Sequence, residues 1–148
     1  MVIKYAYLWT HEHERGLEEG SKDRPAAILL ALAKEPRSSS PEGDSAKEEG
    51  EISVLAVPIT HTPPHLPLDA LEIPPETKRR LGLDDDRSWV VVSEANVFRW
   101  PGPDLRPVSP ARDTCVYGFL PQNFYRMVCR AYLARSQQGA TRVIPRSE

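Results

Sequence analysis

The sequence predicts a mainly-β protein that folds as one small β-barrel. Six or seven short stretches are rich in β-forming residues, two stretches have the spacing of a helix, and strands and helices do not alternate. A parallel sheet needs such an alternation, so its absence favours a small barrel over an open parallel sheet. The 15 prolines among 148 residues also fit short strands with many edges. We predict a single domain over 1–148.

The predicted strands follow one another along most of the chain. The first alternates and is rich in aromatic residues, and the third has the sequence EISVLAVPIT. The second is the continuous apolar run PAAILLAL, for which a short helix is the alternative, and we expect it to pair with the third. The strands are predicted at 3–9, 25–32, 51–60, 66–73, 88–93, 97–100 and 115–120.

Two helices are predicted in the second half of the chain. Residues 74–83 begin with proline, carry Glu76 in the first turn and basic residues in the last, and have Gly82 past the end. Residues 121–135 have the pattern of an amphipathic helix. The side chains expected to face the core are Phe124, Val128, Ala131 and either Tyr132 or Leu133.

Three segments are predicted to lack regular structure. Residues 10–23 are polar and charged and are expected to form a long mobile loop. Residues 34–50, KEPRSSSPEGDSAKEEG, have too few apolar side chains to order themselves, so we expect a disordered loop. Residues 137–148 form a polar tail that we expect to be frayed.

Composition limits the compartment and the partners. The sequence has no run of 18 apolar residues and no pattern of a signal peptide at 1–10, so we expect no membrane partner. Cys115 and Cys129 have no metal-like spacing, which fits a reducing, cytoplasmic location. The net charge of −2 excludes strong nonspecific binding to nucleic acid. Residues 76–148 nevertheless carry 12 Lys/Arg and 8 Asp/Glu, so a locally basic surface can form there.

Three segments, in order, form a pattern of strand starts and strand ends. In the first, a loop precedes Arg24 and Pro25, which open an apolar strand; in the second, the strand VPIT ends at Thr60. In the third, a strand ends near the acidic residue Glu94, and a helix follows at 121–135. The segments are 19–30, 57–61, and 71–73 continued after an insertion by 89–94. In this order, and with a closing helix, they resemble the MazF/PemK family of toxin ribonucleases.

The resemblance implies a specific architecture and activity. It implies an SH3-like barrel that forms a homodimer and cuts single-stranded RNA at short sequences without the ribosome. It also implies a cognate antitoxin whose tail occupies the RNA groove. We expect no cofactor and no metal, because RNA is cut when its own 2′-hydroxyl attacks the adjacent phosphate.

Two residues are the predicted catalytic pair. The planar fork of Arg24 matches two phosphate oxygens, and stabilising developing charge at a preset site is usually the largest catalytic contribution. The hydroxyl of Thr60 can donate a hydrogen bond to a phosphate oxygen. The alternative is structural: an exposed arginine beside a strand, and a β-branched residue packed for its shape.

Three histidines and one carboxylate are candidates for RNA binding or acid–base work. Histidine is the usual acid or base near neutral pH, and His11 and His13 lie on the loop before Arg24 while His61 follows the predicted strand end. Glu94 is a candidate base or a contact for a nucleobase. The histidines are alternatively exposed loop residues, and the carboxylate alternatively a solvated strand end.

A non-catalytic protein with the same fold is the main alternative. SH3-like barrels often bind peptides, and a degenerate toxin homologue would act through a protein partner. The weak overall charge favours this alternative. The family often has glutamine and then arginine after its acidic residue, whereas Glu94 is followed by Ala95 and Asn96.

Overall fold

The computed structural model describes residues 1–17, 20, 22–33 and 51–146, and these residues confirm the prediction of a mainly-β protein. The strands are β1 (Val2–Tyr5), β2 (Arg24–Ala33), β3 (Ile52–Thr60), β4 (Ala70–Glu72), β5 (Trp89–Val91), β6 (Glu94–Trp100), β7 (Val116–Gly118) and β8 (Arg142–Pro145). The helices are α1 (Thr10–Glu14), α2 (Pro75–Leu81) and α3 (Gln122–Gln137). In this part of the chain no helix has both the length and the apolar character needed to cross a membrane. The predicted disordered loop at 34–50 lies outside the described residues.

All eight strands belong to one sheet. The order is β4-β5-β3-β2-β1-β7, and β6 pairs both with β3 and with β8. Every pair is antiparallel except β6 with β8. Among the described residues this order does not close on itself, so the closed barrel remains a prediction.

The pairing of β2 with β3 was predicted and is confirmed. The two strands run antiparallel with Ala26 opposite Pro58 and Ala33 opposite Ile52. The register shifts between Ile28 and Leu30, and the side chains of β2 beyond that point are exposed. The apolar run is therefore a buried strand only in its first half.

Two hydrophobic clusters cover the sheet. Neighbours in a strand point to opposite faces, and adjacent residues such as Ala26 and Ala27 fall into different clusters. One cluster contains Phe124 and Val128 of α3, and the other contains Tyr5 and is rich in aromatic rings. Burial on both faces explains why several strands read as nearly continuous apolar runs.

Both predicted helices are present. Gly82 follows α2 with a φ of 70°, the left-handed conformation that glycine adopts without strain. In α3, Phe124 and Val128 are buried, and Ala131 and Tyr132 pack against the same cluster. Leu133 is exposed, so Tyr132 is the core-facing choice of the two alternatives.

Two predictions for the first half of the chain are wrong in part. The loop predicted at 10–23 begins with α1, in which the carboxylate of Glu12 accepts a hydrogen bond from the Trp9 N–H at 3.2 Å. Tryptophan is an unusual residue before a helix, so the signal was weak. The strand predicted at 66–73 is a strand only at Ala70–Glu72, which is β4, and the preceding residues Pro67–Asp69 form a 3₁₀ turn.

The tail predicted to be frayed contains β8. This strand runs parallel to β6 with Ile144 opposite Asn96, and the side chain of Ile144 is buried. Arg146, just after the strand, donates to Asp104 Oδ2 at 2.7 Å and to the carbonyl oxygen of Ala6 at 2.9 Å. The pattern RVIP is too short to predict a strand from its own residues. Its partner β6 lies far away in sequence, so nothing local indicates the pairing.

Arg146 and Arg142 form a matched pair for a stability test. The Arg146 and Asp104 side chains are 2 % and 9 % exposed, whereas Arg142 pairs with Glu14 with side chains 70 % and 61 % exposed. We expect Arg146→Ala to lower the free energy of unfolding by about 3–5 kcal/mol, because the buried Asp104 carboxylate loses its nearer cation and keeps the more distant Arg106, at 4.0 Å. Arg142→Ala should cost at most about 1 kcal/mol. Urea unfolding of both variants measures the difference, and equal losses would contradict a structural role for the buried pair.

Candidate functional site

Three strand ends meet at one end of the sheet. Arg24 is the first residue of β2, Thr60 the last of β3, and Glu94 the first of β6. β3 runs antiparallel to β2, so its end lies beside the start of β2. On its other edge β3 pairs with β6 up to Ala56, opposite Asn96, and then with β5 at Ile59 and Thr60, so β6 begins near this end of β3. The pairing therefore brings together three residues that are 36 and 34 positions apart along the chain.

A cleft of about 600 Å³ opens at this end of the sheet, and we call it the first cleft. Four of the six predicted site residues line it, together with a tryptophan and a further histidine. These lining residues are Trp9, His11, Arg24, Thr60, His65 and Glu94. The lining also includes Lys22, Glu12 and Asp69, so the first cleft carries charges of both signs.

Arg24 lies over an aromatic ring. Its Cζ atom is 4.8 Å from the centre of the Trp9 ring, a cation–π contact that holds the guanidinium in place. Within the described residues, the buried Nε has no hydrogen-bond partner. Burial lowers the pKa of the guanidinium, while the nearby carboxylates of Glu12 and Glu94 raise it. Arginine remains charged under these influences, so a positioned cation lines the first cleft.

Glu94 is a partly buried carboxyl with two donors. Its Oε1 accepts hydrogen bonds from the hydroxyl of Tyr7 at 3.2 Å and from the N–H of Thr10 at 3.1 Å. Burial raises the pKa of Glu94 above its ordinary value, and the hydrogen bonds from Thr10 and Tyr7 and the nearby His11 oppose this rise. A carboxyl with a raised pKa is better matched to proton transfer near neutral pH than an exposed one.

Tyr7 is the hydroxyl donor that holds this carboxyl. Burial, followed by the charge of Glu94, raises the pKa of the phenol, which therefore keeps its proton. The Tyr7 ring also meets the Trp9 ring edge to face, with centres 5.3 Å apart. One short segment thus supports both Glu94 and Arg24.

The other predicted residues are placed differently. The His11 ring stacks on Trp9 with centres 6.1 Å apart, inside the first cleft. Thr60 Oγ1 accepts a hydrogen bond from the N–H of Thr62 at 3.2 Å, and its own proton is available to a ligand. His13 is exposed on α1 and is not among the described residues that line either cleft discussed here.

A second cleft of about 590 Å³ adjoins the first. Both are lined by Lys22, Arg24, Thr60 and Thr62, so these residues stand between them. The second cleft also contains His61, whose Nε2 lies 2.7 Å from Asp84 Oδ2. Lys78 donates to the other oxygen of Asp84 at 2.6 Å. This hydrogen bond, with help from His61, holds the pKa of Asp84 below its ordinary value.

One cluster has the composition of a metal site. Ligand atoms of His61, Asp84 and Asp86 lie within 4.8 Å of one another. All three residues are exposed, and the ammonium of Lys78 already bonds to Asp84 and to the carbonyl oxygen of Asp86. The Lys78 ammonium already supplies a positive charge to these oxygens of Asp84 and Asp86, so we assign no metal ion to the cluster.

Several supporting residues carry no signal in the sequence. The pattern of 3–9 predicts a strand that contains Tyr7 and Trp9, and it gives no sign that these residues hold Glu94 and Arg24. Asp84 belongs to an acidic run that resembles an ordinary solvated turn. Their roles depend on contacts across the fold, so a search for local motifs had no signal to detect.

The fold and the site define a mainly-β protein with a tryptophan-backed arginine and a partly buried carboxyl in one cleft. No protein-family model matches the chain, and neither the curated proteins nor the solved structures that were searched contain a match.

Proposed function

We propose that the protein is a metal-independent endoribonuclease of the MazF/PemK type that cuts single-stranded RNA. One observation carries the proposal: Arg24, held on the Trp9 ring, lines the same cleft as Glu94, whose pKa is raised by burial. A cation that can grip a phosphate and a base that can take a proton are the two groups this reaction needs first.

Each residue has a separate task in this mechanism. Arg24 holds two oxygens of the scissile phosphate, and the Thr60 hydroxyl donates to one of them. The Glu94 carboxylate takes the proton of the 2′-hydroxyl, whose oxygen forms a bond to phosphorus as the bond to the 5′-oxygen breaks. The products are a 2′,3′-cyclic phosphate and a free 5′-hydroxyl.

The aromatic and cationic groups of the first cleft suit a short RNA segment. Trp9 and His11 offer stacked rings to an unpaired base, which is worth about 1–3 kcal/mol per base. Lys22 supplies a further positive charge, and the acidic residues limit nonspecific binding. The resemblance extends the proposal to an SH3-like barrel, a homodimer, a cognate antitoxin and a cytoplasmic location.

Cleavage in the presence of a chelator tests the activity. Purified protein should cut a mixed-sequence single-stranded RNA in EDTA and leave 2′,3′-cyclic phosphate ends. The matched DNA, which has no 2′-hydroxyl, should remain intact. A folded protein that leaves the RNA uncut would contradict the proposal.

The pH dependence of cleavage tests the assignment of the base. The base works when ionised, so the rate should fall with decreasing pH as Glu94 takes up a proton, at a higher pH than for an ordinary glutamate. Tyr7→Phe removes a hydrogen bond to the carboxylate and should move this acidic limb to still higher pH. Tyr125→Phe, which loses a hydrogen bond to the Leu29 carbonyl, is the matched control. An acidic limb that stays in place in the Tyr7 variant would exclude Glu94 as the base.

A non-catalytic binding module is the second candidate. The first cleft is lined by Trp9, Pro63 and Pro64, the kind of aromatic and apolar surface that holds extended peptides. Its mixed charges suit a protein segment as well as a phosphate. A protein partner that binds the cleft, together with no RNA cleavage in EDTA, would support this candidate or a degenerate toxin homologue.

A further inference from the structure

The two clefts adjoin at Arg24 and Thr60. Both residues line both clefts. Of the described residues, Glu94 lines the first cleft and not the second, whereas His61 lines the second and not the first. A phosphate held between Arg24 and Thr60 would therefore have the carboxyl on one side and the imidazole on the other.

His61 is positioned by a network of ion pairs. Its Nε2 meets Asp84 Oδ2, and Asp84 Oδ1 accepts from Lys78, whose side chain is almost fully buried. An ionised Asp84 accepts the proton on Nε2 of His61, which leaves Nδ1 as the ring nitrogen that can meet a substrate. Asp84 also stabilises the charged imidazolium, and Lys78 fixes the position of Asp84. These contacts orient a proton donor at the mouth of the second cleft.

We infer that His61 is the general acid of the proposed ribonuclease, that Asp84 is its positioning residue, and that the second cleft binds the leaving nucleoside. This inference rests on the proposed function and extends it to the second half of the reaction. Tyr117, half-buried in the second cleft, offers a ring to the base of the leaving nucleoside.

The protons and bonds of this step balance. Glu94 gains the proton of the 2′-hydroxyl while the 2′-oxygen bonds to phosphorus. The bond from phosphorus to the 5′-oxygen breaks, and that oxygen takes the proton from Nδ1 of the His61 imidazolium. Glu94 ends protonated and His61 neutral, and exchange with water restores both groups.

The geometry of displacement selects His61 over the other histidines of the site. In phosphoryl transfer the attacking and leaving oxygens lie roughly in line, on opposite sides of phosphorus. His11 and His65 line the first cleft, on the side of the base. His61 lines the adjoining second cleft, apart from Glu94, and we assign the leaving oxygen to that cleft.

A substrate with a sulfur leaving atom tests the inference. The substrate is a DNA strand with one ribonucleotide at the mapped cleavage site, made with either oxygen or sulfur at the bridging 5′ position. A thiolate leaves without being protonated, so its departure needs no acid. We expect His61→Asn to slow cleavage of the oxygen substrate by about 10²–10³-fold. The same variant should cut the sulfur substrate at nearly the wild-type rate. Glu94→Gln should slow both.

Two further variants sharpen the result. Asp84→Asn should reduce the cleavage rate of the oxygen substrate by a smaller factor than His61→Asn. This reduction should also disappear with the sulfur substrate, whereas a general disturbance of the fold would slow the cleavage of both substrates. His13→Asn changes an exposed histidine on α1 and should leave both rates unchanged. Circular dichroism of each variant checks folding.

The possible failures are distinguishable. If His61→Asn reduces the cleavage rate of both substrates equally, or of neither, the assignment of His61 as the acid is wrong and the proposed ribonuclease activity is unaffected. A folded wild-type protein that cuts neither substrate nor the mixed RNA would overturn the proposed function and this inference together.

Discussion

Arg24→Ala is expected to reduce RNA cleavage by at least about 10²–10³-fold, the usual cost of removing one preset donor from a site of developing negative charge. The guanidinium is held on the Trp9 ring and lines the first cleft, so it can meet a phosphate without reorganising. Single-turnover cleavage of a mapped RNA substrate in EDTA measures the effect. The fold should be retained, because Arg24 lies at the first position of β2 and is only half-buried.

A second arginine on a tryptophan gives a matched control. The Cζ of Arg87 lies 5.0 Å from the centre of the Trp89 ring, and the side chain pairs with Glu72 at the surface. Arg87→Ala should leave cleavage unchanged. Arg24→Lys, which keeps the charge and loses the planar fork, should restore only a small part of the activity. Full activity in Arg24→Ala would remove this residue from the mechanism.

Glu94→Gln is expected to slow cleavage by about 10²–10⁴-fold, the range that a general base contributes. Glutamine keeps an oxygen that can accept from Tyr7 and Thr10, so the local structure should persist. RNA binding should remain close to that of the wild type, because the loss concerns proton transfer. The variant should also lose the acidic limb of the pH–rate profile.

An exposed glutamate serves as the control for this change. Glu72→Gln alters a surface carboxylate that pairs with Arg87, and cleavage should not change. Measuring the rate and the RNA affinity of both variants separates chemistry from binding. Glu94→Gln protein that cuts RNA at the wild-type rate would show that another group takes the 2′-hydroxyl proton.

Local patterns predicted the elements whose stability depends on their own sequence. The capping residues of α2 and the apolar spacing of α3 lie within the segments themselves, and both helices were predicted within a few residues. The pairing of β2 with β3 was also predictable, because both strands are strongly apolar and neighbours in sequence. Arg24 and Thr60 were placed at strand ends for the same reason.

Long-range contacts decided the rest. β8 exists because β6 offers it a parallel partner, and its four residues carry no period of their own. The placement of Trp9 under Arg24 and the hydrogen bonds from Tyr7 and Thr10 to Glu94 join segments that the sequence keeps far apart. No local motif encodes such contacts.

The sequence by itself determined a mainly-β chain with an arginine and a threonine at neighbouring strand ends, since periodicity and turn residues act over a few positions. Only the tertiary structure decided which side chains share a cleft. It placed Glu94 in the first cleft and His61 with Asp84 in the second, with Arg24 lining both, and it left His13 at the surface. The physical reason is that burial, which sets the pKa of Glu94, and the pairing of His61 with Asp84 both arise from strands and helices packed across the fold.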